Sequence, residues 1–410
     1  MRTTLAILLA ASATCLATAR LGEAAADLPY WGSVEGRTEL QRLAGHVAST
    51  GQAVTPPHRC APALSAGVHV TSTVNLNDPD AAAEWQAATA GVQANTCAFG
   101  LPWSELEPVP GLYNMTLFTQ TLRWYASKGM RCAVSVLAVS GGHVTVPPDL
   151  ADPVDPHSLR PGLAWNDSQV MDRYALLASN VAPIINEYDA FYWGVGSEVD
   201  TAISDADIGL EFATFVIVAR EVLLNVTSAS FSVGASFTTL GFYEQMSKTG
   251  GPDAWVSVLA SLTDITPLTY YRFAPGSFDV ADPSVPLVDF PGMVDLMSPF
   301  GGCVALEAFG YPSGYGNAQS VDNSTQAKQA DFYKNVITAV TEQKDSFRFM
   351  QLVGWTDMDL VTCQALAKTY GDLGPAFAEF MCTLGVYNAD NTPKQAASVV
   401  PELLRLNPAA

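Results

Sequence analysis

The chain has 410 residues, which fits two or three average domains or one long α/β barrel. Hydrophobic residues make up 49% and charged residues 15%, so a sizeable core can form and a disordered chain is excluded. With 40 acids against 20 bases the net charge is -20, which disfavours nucleic acid and anionic membranes as partners and suits a soluble protein acting on a neutral polymer.

In chain order, Arg2 is followed by an apolar, small-residue run from Leu5 to Ala19, and Ala17-Thr18-Ala19 has the form of a cleavage site. The run is too short to span a bilayer, so residues 1–19 are expected to be a signal peptide and the protein secreted. Residues 20–62 are rich in Ala, Pro and Gly without a clear period and are expected to form an N-terminal extension. A main domain is expected over 63–408. Six cysteines remain after cleavage, an even number that suggests disulfides in a secreted chain. Sequons at Asn114, Asn166, Asn225 and Asn323 suit a glycosylated surface.

From about residue 64, short apolar runs alternate with loops and helical stretches. The runs are 67–71, 96–101, 131–137, 190–195, 231–235, 265–271, 302–306 and 349–355. Their length and β-rich content predict strands buried on both faces, as in a parallel sheet. Helices are predicted at Asp80–Val92, Thr116–Ser127, Asp205–Leu224 and Thr325–Val340, while 138–167 and 272–290 read as loops that set specificity. The alternation indicates an α/β fold. Eight units favour a closed (β/α)8 TIM barrel over an open doubly wound sheet, and either places function at the carboxyl ends of the strands. Cys97 and Cys132 begin the second and third strands and Cys363 and Cys382 flank the final helix, so both are candidate disulfide pairs.

Two strands end in a glutamate. The fourth runs Tyr192-Trp193-Gly194-Val195-Gly196-Ser197-Glu198, and the seventh Val304-Ala305-Leu306-Glu307. In a barrel both would project into the mouth. Retaining glycoside hydrolysis needs such a pair about 5 Å apart, one carboxyl as acid/base and one as nucleophile. Aromatic residues at or beyond strand ends, namely Trp103, Trp193, Tyr270, Tyr271, Tyr311 and Trp355, suit stacking on sugar rings, or core packing. Asp357 can bind sugar hydroxyls or cap a helix. The sequence contains no GxSxG elbow, P-loop, HExxH or full dinucleotide fingerprint, and its five histidines are scattered; no metal or cofactor is expected.

These segments resemble clan A of the glycoside hydrolases over about residues 64–400. The resemblance rests on Trp103-Ser104-Glu105-Leu106-Glu107-Pro108, Gly196-Ser197-Glu198, Thr269-Tyr270-Tyr271, Leu306-Glu307-Ala308-Phe309-Gly310-Tyr311-Pro312 and the closing Gly385-Val386-Tyr387-Asn388 with Thr392-Pro393-Lys394. It implies a retaining β-glycosidase acting on a neutral polysaccharide or oligosaccharide; a monomer is expected. Glu198 would be acid/base and Glu307 nucleophile. Trp103, Ser197, Tyr270, Tyr271, Trp355 and Asp357 would bind substrate, with Tyr271 orienting Glu307. The clan usually has asparagine where Ser197 stands. That departure supports an alternative reading, a non-catalytic carbohydrate-binding protein on a degenerate barrel.

Overall fold

The computed structural model describes residues 65–69, 96–227, 231–246, 253–273, 280–300, 303–314, 323–358, 361, 363 and 375–404. The expected leader and extension, and the helix expected at Asp80–Val92, lie outside these residues.

Ten strand segments form one sheet. One of them, His143–Val144, is an antiparallel appendage to the end of the third strand. Two more are halves of a single broken strand, which leaves eight barrel strands. These are β1 (Ser65–His69), β2 (Thr96–Pro102), β3 (Arg131–Ser140), β4 (Tyr192–Ser197), β5 (Ser232–Gly234 with Phe237–Thr238), β6 (Thr266–Tyr270), β7 (Val304–Phe309) and β8 (Phe347–Val353). All neighbours are parallel, and β1 joins β8 from Ser65↔Phe349 to His69↔Val353. The first half of β5 pairs with β4 and the second half with β6, so the broken strand closes the ring. The fold is a (β/α)8 barrel.

The break has a local cause. Ser236 leaves the ladder and donates its N–H to Gly196 O, while Val199 N–H donates to Ser236 O at 2.9 Å. This staples the end of β4 to the middle of β5, at the mouth.

Around the barrel lie α1 (Thr116–Ser127), α2 (Ser168–Glu187), α3 (Ala206–Val226), α4 (Ala254–Leu262), α5 (Pro286–Met297), α6 (Gln326–Glu342) and α7 (Pro375–Cys382). The predicted α1 matches, and α3 and α6 start one residue past their predicted positions because Asp205 and Thr325 are N-caps. Asp205 accepts N–H bonds from Asp207 and Ile208, and Thr325 accepts one from Lys328. The pattern did not single out α2, α4 or α5. α4 is apolar almost all round, which hides its period. α5 starts at Pro286 inside the segment read as loop, because proline at the first turn of a helix looks like loop punctuation.

The core divides by strand alternation. Side chains facing outward, such as Val134, Trp193, Leu268 and Leu306, pack under the helices in one large cluster. Those facing inward at the bottom of the barrel, Ala98, Ala133, Tyr192, Ala305 and Phe349, form a second, smaller one. Both candidate disulfides are present, Cys97–Cys132 across the β2–β3 pair and Cys363–Cys382 at the end of α7. Cys303 is disulfide-bonded as well. Among the described residues no helix is long and apolar enough to cross a membrane.

Candidate active site

Two side chains at the top of the barrel interior, those of Ser135 and Ser236, converge on Glu307. It lies within β7 rather than at its end, two residues short of Phe309, and is 4% exposed. Alternation from Ala305 turns it inward. Ser135, which follows Ala133 with the same parity on β3, donates its hydroxyl to Glu307 Oε1 at 2.7 Å. The Ser236 hydroxyl, released by the break in β5, lies beside the Glu307 carboxylate and favours its anion. Gly194 on β4 completes the cradle, because a Cβ there would lie 2.2 Å from Ser135 Oγ and 3.0 Å from Glu307 Oε1. The Gly194 of the fourth-strand motif is therefore a requirement of the close approach.

Glu198 follows β4 in a left-handed conformation, φ 53° and ψ 48°. A non-glycine residue in that region carries strain that its surroundings must hold. Here they do: the Glu198 N–H donates to Ser236 Oγ at 3.2 Å, and Thr201 donates both its N–H and its hydroxyl to Glu198 O. The Glu198 side chain is half-buried, and its Oε1 accepts the Thr269 hydroxyl at 2.7 Å. Ser236 thus touches the backbone of one glutamate and the carboxylate of the other, and its hydroxyl lies 3.3 Å from that of Ser197.

Burial raises both carboxyls, and their neighbours differ. Burial pushes Glu307 upward, and the Ser236 and Ser135 hydroxyls oppose this by stabilising its anion. Burial also raises Glu198; the Thr269 hydroxyl opposes this, while the negative charges of Asp200 and Glu307 reinforce it. Glu307 has donors aimed at its charged form, and Glu198 has acids beside it. The like charges favour the protonated form of Glu198, and the serine hydroxyls favour the ionised form of Glu307.

The structure treats the other expected site residues unequally. Ser197 is at the mouth beside Ser236. Trp103 is fully buried, its Nε1–H donated to Glu107 Oε2 at 2.8 Å and its ring against Tyr174 and Phe215, so it belongs to the core. Tyr270 is also fully buried and faces the helices, donating its hydroxyl to Asp289 Oδ2 at 2.8 Å. The neighbouring residues of the strand, Thr269 and Tyr271, take the opposite parity, and Thr269 is the one that meets a catalytic candidate. Tyr271 carries its ring against Phe380, 5.4 Å between centroids, and the Ser135 and Ser236 hydroxyls reach Glu307. Trp355 closes β8 beside Tyr387 and is 4% exposed. Asp357 is engaged by Lys394 Nζ at 2.6 Å; that ammonium also bonds Ser313 Oγ and the Thr383 and Gly385 carbonyls. The closing Thr392-Pro393-Lys394 segment therefore ties the C-terminal region to the end of β8, and Asp357 serves that tie.

Ser135, Ser236, Thr269 and Asp200 were not singled out from the sequence. Strand parity carries the only signal for Ser135, two residues beyond Ala133. Nothing in the sequence marks Ser236, whose role depends on the break in β5. Among the described residues no group of three or more His, Cys, Asp or Glu is placed to hold a metal.

No protein-family model matches the chain, and no curated protein matches it. Solved structures share its fold. One is the exo-β-1,4-mannosidase Op5Man5 from Opitutaceae bacterium strain TAV5, with TM-score 0.61, 15% identity, and coverage of 83% of this chain and 59% of that one. The chain therefore spans less than two thirds of that mannosidase. A second is GH5_18 from Bifidobacterium longum subsp. longum ATCC 55813 in complex with Manβ1-4GlcNAc, with TM-score 0.61, 13% identity, and coverage of 85% and 79%. A third is a family 39 glycoside hydrolase from Bacteroides cellulosilyticus WH2, with TM-score 0.54, 15% identity, and coverage of 84% and 64%. What the chain shares with these glycoside hydrolases, at these identities, is the barrel.

Proposed function

We propose that the chain is a retaining glycosidase acting on β-linked neutral glycans, with Glu307 as nucleophile and Glu198 as acid/base. The observation that carries this is the pair of glutamates on β7 and at the end of β4, joined through Ser236 and held in unlike environments. Glu307, anionic on its serine donors, attacks the anomeric carbon as the glycosidic C–O bond breaks and Glu198 delivers its proton to the leaving oxygen. Glu198, now a carboxylate, takes a proton from water, which attacks the anomeric carbon and frees Glu307. The net configuration is retained. The fold neighbours named for β-mannoside substrates make these the first glycosides to test. The paired cysteines and the leader-like N-terminus support secretion into an oxidising compartment.

The test is hydrolysis of β-mannosides, β-glucans, galactans and xylans, with product anomers followed by NMR. Wild type is expected to release the β-anomer first, and Glu307→Gln to release nothing while folding normally. Binding of a glycan without hydrolysis by the wild type would favour the non-catalytic reading, for which Ser197 in place of asparagine is the supporting observation.

A further inference from the structure

Resting on the glycosidase reading, we infer that Asp200 is a positioning residue for the acid/base: it clamps the strained turn that carries Glu198 and places a fixed negative charge behind it. The turn Val199–Ala202 follows Glu198 directly. The Asp200 Oδ1 accepts the Thr238 N–H at 2.7 Å, and Oδ2 accepts the Thr238 hydroxyl at 2.5 Å. Thr238 Oγ1 in turn accepts the Gly241 N–H at 3.0 Å. Gly241 is glycine for a reason, because a Cβ there would lie 1.9 Å from Asp200 Oδ2. The carboxylate is thus wedged between the acid/base turn and the second half of β5, the strand whose Ser236 holds both glutamates.

The acids that act on this corner come from three elements. Glu307 comes from β7, Asp200 from the turn itself, and Glu244 from the helix Thr239–Met246 beside Asp200. Among the described residues no cation acts on either Glu198 or Asp200. A negative charge next to Glu198 disfavours loss of its proton, which keeps the acid form available to higher pH.

Asp200→Asn separates charge from shape. The amide oxygen still accepts the Thr238 N–H and the amide nitrogen donates to the Thr238 hydroxyl, so the turn persists and the charge is lost. The alkaline limb of the kcat/KM profile, set by the proton on Glu198, is expected to move down by about one pH unit. The loss of rate is expected to be roughly tenfold on glycosides with poor leaving groups. On dinitrophenyl glycosides, whose leaving group needs no proton, it should be small. Thr238→Val, which keeps the charge and loosens the clamp, is expected to reproduce the dependence on leaving group with a smaller movement of the limb. An unmoved limb with equal losses on both leaving groups would overturn the inference, as would wild-type behaviour of both variants. If Glu307→Gln abolishes hydrolysis and Asp200→Asn behaves as wild type, the inference fails alone. If the wild type hydrolyses no glycoside, the glycosidase reading fails and takes this inference with it.

Discussion

Ser135→Ala removes the hydroxyl that lies 2.7 Å from Glu307 Oε1 inside the barrel, where Ser135 is 7% exposed. A hydrogen bond to a charged acceptor contributes about 1.5–3 kcal/mol. The hydroxyl favours the anion, so its loss raises Glu307 further above the ordinary glutamate range than burial already does. At 1.36 kcal/mol per pH unit, the upward movement is about 1–2 units. A protonated Glu307 is a far weaker nucleophile than its carboxylate, so the acid limb of kcat/KM moves up by that amount. Below the limb the variant is expected to be roughly 10–100-fold slower than wild type. Above it, where Glu307 is ionised in both proteins, the deficit should shrink severalfold, leaving only the cost of poorer positioning. The assay is initial rate against pH on one aryl glycoside, with circular dichroism and thermal melting as controls for folding. A deficit that is the same at every pH, with the limb unmoved, would refute the reasoning and reduce Ser135 to a packing residue.

Other consequences can be checked by unfolding. Glu307 holds its proton more tightly folded than unfolded, so its burial contributes no penalty below the unfolded pKa and an increasing one as pH rises through the folded pKa. Glu307→Gln is therefore expected to be more stable than wild type to urea at pH 7 and about equal at pH 4; a less stable variant at pH 7 would contradict the cause given for the shift. Lys394 is 3% exposed and engages Asp357, so Lys394→Met strands a largely desolvated carboxylate and is expected to destabilise by about 2–4 kcal/mol in urea titrations. A loss below 1 kcal/mol would show that the C-terminal tie is dispensable. The Cys97–Cys132 bond closes a separation of 35 residues. Replacing both cysteines with alanine is expected to cost about 4 kcal/mol on the chain-entropy account, read as a lowered melting temperature.

The alternation of apolar runs with helical stretches was enough to indicate an eight-fold α/β unit, because strands buried on both faces leave a continuous apolar signature. The same reading placed Glu198 and Glu307 at strands four and seven and paired Cys97 with Cys132 and Cys363 with Cys382, since all of these follow from where strands and helices begin. Parity was harder to see. Tyr270 and Tyr271 are adjacent in sequence, but the chain sends the first to Asp289 under the helices and the second against Phe380 of α7, and the alternation of β6 decides which. Trp103 ends β2 in sequence, yet a short helix, Trp103–Leu106, turns its ring into the core toward Glu107. Asp357 reads as a sugar ligand until the chain's last segment brings Lys394 to it. Ser236 is the clearest case. Nothing local distinguishes it from any other serine, and its role exists because β5 breaks there to close the ring. The sequence by itself determined the layers, the strand count and the two carboxylates, through periodicities that each segment carries alone. Which hydroxyls, glycines and acids surround those carboxylates was decided by contacts between segments as much as 172 residues apart, as Ser135 and Glu307 are, and no single segment encodes them.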